Sequence, residues 1–236
     1  MVKITKEMCK KLNEIGIPTR WSEEIILGWS DIGPEIIGSC EVDLRKSNLG
    51  RSDLRGSDLR GSDLRDSDLR DSDLRDSDLR RCDLSGSDLR GSILRESNLS
   101  RSDLSWSNLE DSDLRGSNLS GSDLSLSNLR GSDLRESDLS GSDLCLSDLS
   151  LSNLRDSDLR RCNLSGSNLS GSNLSWSDLK DSNLSYSNLK RSDLSYSNLK
   201  DVDLRGSKID AIVNKGDCRI VNIDKEKDKI VCEPKE

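Results

Sequence analysis

Serine, aspartate and arginine recur in this chain at spacings that could do chemistry. Ser stands two places before a leucine in 29 of 33 consecutive pentads, and Asp or Asn stands one place before it in all but the Ile93 pentad. A serine near a carboxylate is a fragment of a nucleophilic site, and neighbouring carboxylates can act as general acid and base. Arg55, Arg75, Arg95, Arg115, Arg135 and Arg155 recur every twentieth residue, a ladder that would suit phosphates. Each signal weakens against its surroundings. The chain contains no histidine, the commonest general base and metal ligand. No Gly-rich phosphate loop accompanies the acids, and a residue present in nearly every pentad belongs to a building unit. The sequence therefore offers no catalytic, cofactor-binding or metal-ligating residues and reads as non-enzymatic.

The unit that must position these side chains is five residues long. Leucine occupies every fifth position from Leu44 to Leu204, and Ile209 extends the series. On an α-helix, residues five apart differ by about 140°, so the leucines would spiral around every side. On a flat strand they would alternate between faces. A chain that turns a corner every five residues points all of them inward, and four pentads then close one coil. Leu44, Leu64, Leu84, Leu104, Leu124 and Leu144, twenty apart, stack as core, with Cys82 and Cys162 filling the inward small position in place of Ser. The Asp and Asn side chains are placed to bond turn amides, a structural duty.

A small residue, Asp or Asn, Leu, then two variable residues resembles the consensus of the pentapeptide repeat family. The resemblance implies an all-β fold, a right-handed quadrilateral β-helix of about eight coils spaced at strand distance. Ser in place of the family's Ala, and the absence of Phe, imply a slimmer interior. Residues 1–41 read as an N-terminal cap, partly helical, from the apolar spacing of Met8, Leu12 and Ile15. Residues 42–209 form the helix of repeats. Residues 210–236 read as a C-terminal cap with a β-hairpin, across which Cys218 and Cys232 could face each other.

Sorting outward positions at a period of twenty shows what the rod presents. The Arg-ladder face also carries Asp53, Asp73, Asp113 and Asp133, so interleaved ion pairs explain it better than nucleic acid, and direct nucleic-acid binding is not expected. The Leu44 face differs. Asp83, Asp103, Asp123 and Asp143 stack there with no outward base among them, beside Trp106, Leu126 and Leu146 in consecutive coils and Tyr186 further on. A contiguous apolar stripe marks an interface more often than scattered apolar residues do. These eight residues are the candidate partner-binding set.

The expected function is a protein–protein interaction or scaffold rod, its partner unidentified. The alternative rests on the resemblance: some pentapeptide repeat proteins mimic DNA and bind DNA gyrase or topoisomerase IV, usually as C-terminal dimers, and the apolar residues after Ile209 could likewise cover a second copy of this chain in a homodimer through the terminal cap. Repeats 43–207 carry 30 acidic and 24 basic residues, a modest excess for such mimicry. No apolar run is long enough to span a membrane, and the first residues are too polar for a secretory signal. Seven cysteines without CxxC spacing suit a reducing compartment, so the expected location is the cytoplasm.

Overall fold

The computed structural model describes residues 44–212, 218–224 and 229–234. The helical reading of residues 1–41 lies outside the described residues, and the described residues contain no helix. From Asn48 to Asp203 the residue before each leucine pairs in parallel with its counterpart twenty positions on, as in Asp63 with Asp83 and Asp83 with Asp103. The chain thus climbs one coil per four pentads, with one bridge per face.

The pentad Ser67–Asp71 shows how the backbone is satisfied. Asp68 N–H donates to Ser47 O in the preceding coil at 2.9 Å, while Leu69 and Asp71 donate to Asp88 O and Arg90 O in the next, at 2.7 and 2.9 Å. Ser67 N–H closes a turn onto Leu64 O at 3.2 Å. Only Arg70 N–H has no backbone carbonyl in reach, and Asp68 Oδ1 accepts it at 3.1 Å. Asp and Asn recur because their short side chains accept the amide two residues on, completing the account. The last residue of the pentad adopts φ near +60°, for example +56° at Asp71 and +65° at Gly91. That left-handed corner is the third residue of a type II-like turn, and Gly is its unstrained occupant.

Inside, every pentad leucine from Leu44 to Leu194 is buried, as are Cys82 and Cys162. Most of the serine hydroxyls turn back on the backbone, as where Ser67 Oγ donates to Leu64 O at 2.6 Å, so the polar side chain is buried with a partner; those of Ser47, Ser57, Ser92 and Ser187 find none among the described residues. Burial pushes the Cys82 and Cys162 thiols up to about 12 and about 11, which keeps them protonated and unreactive. At about 2 kcal/mol per buried leucine, the column supports a chain in which only 31% of residues are apolar.

The repeat ends in four strands: β1 (Asn188–Asp193), β2 (Lys208–Ile212), β3 (Cys218–Asp224) and β4 (Lys229–Pro234). β1 and β2 pair in parallel as the last widened bridge of the coil, and β3 and β4 pair antiparallel as a hairpin. Its register sets Cys218 against Pro234 and Cys232 against Ile220, so the two cysteines are not cross-strand partners. A bulge near Ile220 shifts the pairing after that point.

Charges on the early coils are answered within the pentad. Arg55, Arg60, Arg65, Arg70, Arg75, Arg80 and Arg90 each fold back on the Asp two residues before through Nε and Nη2. Several also reach the acid of the next coil, as Arg55 does to Asp73 at 3.8 Å and Arg115 to Asp133 at 3.6 Å. The Arg-ladder face is therefore the interleaved network the sequence suggested. In later coils an amide replaces the guanidinium: Asn168 Nδ2 donates to Asp148 Oδ1 at 3.1 Å, and Asn188 Nδ2 to Asn168 Oδ1 at 3.1 Å. Ile93 interrupts the scheme. Arg95 lacks its in-pentad acid, and among the described residues its buried Nε makes no hydrogen bond, only an ion-pair contact with Asp113 at 3.3 Å.

Two outcomes follow from this chemistry. Ile93→Asp supplies both the missing amide acceptor and the missing guanidinium partner, and should stabilise the rod by about 1 kcal/mol in thermal melts; a loss of stability would contradict this assignment. The hydrogen bond from the arginine two residues on holds the Asp53, Asp58, Asp68, Asp78 and Asp88 carboxyls below the usual carboxylate range. A lowered native value stabilises above the unfolded carboxylate range, about pH 4, and that contribution disappears as pH falls through the native values. The melting temperature should therefore drop between about pH 4 and pH 2, and Arg70→Ser with Arg90→Ser should flatten the drop.

Candidate functional surface

The left-handed corner decides which side chains the rod displays. Its residue points outward whatever its chemistry, because the inward positions belong to Leu and Ser. On the Leu104, Leu124 and Leu144 face the corner residues are Trp106, Leu126 and Leu146, at φ of +61°, +59° and +58°. Their amides donate to Ser125, Cys145 and Ser165 carbonyls in the succeeding coils at 3.0, 2.9 and 3.0 Å, which fixes the three in vertical register. Trp106 is 68%, Leu126 39% and Leu146 59% exposed. Three bulky apolar residues at positions strained for any L-residue pay conformational energy for display.

Glycine shapes the rest of the column. At Gly166, the next corner, a Cβ would lie 2.7 Å from Leu146 Cδ2, so the leucine leans over the glycine. Tyr186, 75% exposed, stands one coil further and leans in the same way over Gly206, where its Cδ1 would lie 2.6 Å from a Cβ. Tyr186 thus shares the column with the other three but is separated from them by Gly166. On the Arg-ladder face Trp176 and Tyr196 stack ring on ring, with centroids 4.4 Å apart and planes 16° from parallel. Leu151, also exposed, lies on the Leu49 face, between the Leu44 face and the Arg-ladder face.

The acid column beside the stripe is shorter than the sequence suggested. Arg65 reaches up from the preceding coil to Asp83 Oδ2 at 3.4 Å, so Asp83 begins the column as a paired acid. The expectation that no base offsets Asp83 overlooked the reach of an arginine across one coil. Asp103, Asp123 and Asp143 form no ion pair among the described residues. Asp103 accepts Ser105 N–H at 2.9 Å and Ser105 Oγ–H at 2.7 Å. Asp123 accepts Ser125 N–H at 2.9 Å, and Asp143 accepts Cys145 N–H and Asn163 Nδ2–H at 2.9 and 3.0 Å. Hydroxyls and amides hold these carboxylates in place without cancelling their charge. The result is three stacked anions flanked by three exposed apolar side chains.

The model of pentapeptide repeats matches residues 41–76, 77–116, 112–150, 147–185 and 172–209. Among solved structures, the chain is similar to HetL, a pentapeptide repeat protein involved in heterocyst differentiation regulation from Nostoc sp. strain PCC 7120, at 28% identity over 74% of this chain and 81% of that one, with a TM-score of 0.29. It is also similar to full-length QnrB1, a plasmid-mediated fluoroquinolone resistance protein, at 20% identity over 73% and 92% of the two chains, TM-score 0.37. A pentapeptide repeat protein of the Arabidopsis thaliana thylakoid lumen matches at 20% identity over 52% and 77%, TM-score 0.36. No curated protein matches. At these TM-scores the superpositions add nothing to the repeat match itself. That match runs from residue 41 to residue 209, along the same pentads whose hydrogen bonds build the coil, and the chain belongs to the pentapeptide repeat family.

Proposed function

We propose that the chain is a non-enzymatic interaction rod. In this reading Trp106, Leu126 and Leu146 dock an extended segment of another protein that carries Lys or Arg beside apolar side chains. The observation that supports it is the coincidence, in the same three coils, of unpaired Asp103, Asp123 and Asp143 with the exposed stripe. In the early coils the corresponding acids, among them Asp58, Asp68 and Asp78, are each answered by arginine. Charge complementarity would select the partner, and burial of the apolar column would hold it. Asp83 and Tyr186 sit at the ends of this surface and would contact only a longer partner. Seven cysteines without CxxC spacing suit a reducing compartment, and a cytoplasmic location is part of this proposal.

The alternative, a DNA-mimicking binder of DNA gyrase or topoisomerase IV, needs a long surface of uncompensated acids. Arg–Asp pairs along Arg55–Arg90 leave the early coils without one, which favours the docking reading. A displayed library of extended peptides tests it. Sequences enriched on the purified rod should combine basic and apolar residues, and Leu126→Lys with Leu146→Lys should weaken them at least about tenfold while leaving the melting temperature unchanged. Undiminished binding by that variant would discard the assigned surface. Inhibition of gyrase supercoiling by the rod would favour the mimic instead.

A further inference from the structure

The face carrying Leu59, Leu79, Leu99 and Leu119 treats charge in the opposite way. Its outward columns run Arg60, Arg80, Ser100, Ser120 and Gly61, Arg81, Arg101, Gly121. Arg60 and Arg80 hold Asp58 and Asp78 in the usual paired fashion. Beyond them the acids give way to Asn98 and Asn118. Arg81 and Arg101 occupy left-handed corners at φ of +59° and +61°. Arg81 N–H donates to Ser100 O at 3.2 Å and Arg101 N–H to Ser120 O at 3.0 Å, so the two stand in adjacent coils. Both are exposed, and neither makes an ion pair among the described residues. Gly61 below and Gly121 above raise no side chain, which leaves an open groove of about 700 Å³ lined by the four arginines with Ser100 and Ser120.

Two like charges one coil apart, about 4.8 Å along the axis, repel each other. The fold does not require them, since Gly occupies the same column at 61, 121 and 141 without strain. The repeat also pairs arginine with aspartate nearly everywhere else in the early coils. A comparable groove further along the same face, around Arg160, Arg161 and Lys180, is lined by Asp178 and Asp181 as well, so its charge is internally balanced.

The geometry points to a binding site for a small oligophosphate anion in the groove over Arg81 and Arg101. Guanidinium forks match phosphate oxygens in pairs, and two forks one coil apart can hold successive phosphates of one short chain. Ser100 Oγ, without a hydrogen-bond partner among the described residues, adds a donor at the centre. The groove's volume is that of a small-molecule site. A long nucleic acid fits less well, because no aromatic side chain on this face offers a stacking platform and Arg60 and Arg80 already hold Asp58 and Asp78. This site lies on a different face from the docking surface and does not depend on it.

Calorimetric titration of the full chain with inorganic triphosphate, at low and at physiological salt, tests the assignment. Wild type should show saturable one-site binding. Arg81→Gly with Arg101→Gly, a change to the residue already used in that column, should keep the melting profile and weaken binding by about tenfold or more. Arg161→Gly should leave binding unchanged. Absence of saturable binding, equal binding by the double variant, or an equal loss with Arg161→Gly would overturn the site. A single-stranded oligonucleotide bound at least as tightly as triphosphate would overturn the choice of a small ligand.

Discussion

Backbone amides within each turn of five residues must all find acceptors, and one of them can find its acceptor only in a side chain. Four are met by the adjacent coils and by the turn onto the preceding leucine carbonyl. The fifth, on the residue after leucine, is met by Asp or Asn Oδ1. That requirement places a carboxylate or amide at the same point of every pentad but that of Ile93, so the rod's surface chemistry begins as a consequence of its backbone. Stacked acids then become a problem the rest of the sequence must solve.

The solution changes along the axis. Early coils place Arg two residues after Asp, which neutralises the acid and also bonds the coil above. Later coils replace acids by Asn, whose amide donates down the column while still accepting the turn amide. Between these regimes, at Asp103 and Asp123, neither device operates, while Asp143 already takes the amide of Asn163, and the corner beside these acids carries Trp and Leu in place of Gly or a charged residue. On another face Arg81 and Arg101 break the rule with the opposite sign. Departures of both signs in a surface otherwise so regular are local, and both fall at corners or acids whose backbone role is unchanged. Function can be written on this rod without cost to its core, since the outward positions carry no packing duty.

The corner residue is the means of display. With φ near +60° it is costly for any residue but Gly, and 22 non-glycine residues among those described nevertheless adopt it, charged and apolar alike. Once the corner is fixed by its two flanking coils, tryptophan, leucine or arginine project there equally well. Leu146 and Tyr186 lean over glycines in the next coil, so a small residue above shapes the pose of the large one below.

Period, coil size and core were legible in the sequence because only one geometry satisfies a leucine every five residues with Asp or Asn before it. The buried column from Leu44 to Leu194, the twenty-residue parallel bridges and the C-terminal hairpin follow from local pattern. Columns on each face were legible too, and listing the Leu59 face at the same period would have exposed Arg81 over Arg101. Reach was not legible. Whether Arg65 neutralises Asp83, whether Arg95 finds a partner, and whether Leu146 covers Gly166 depend on side-chain rotamers spanning one coil, which a one-dimensional period does not encode. Sequence spacing fixed which residues are neighbours; the tertiary structure alone decided which charges cancel, because cancellation turns on distances of a few ångströms between flexible side chains.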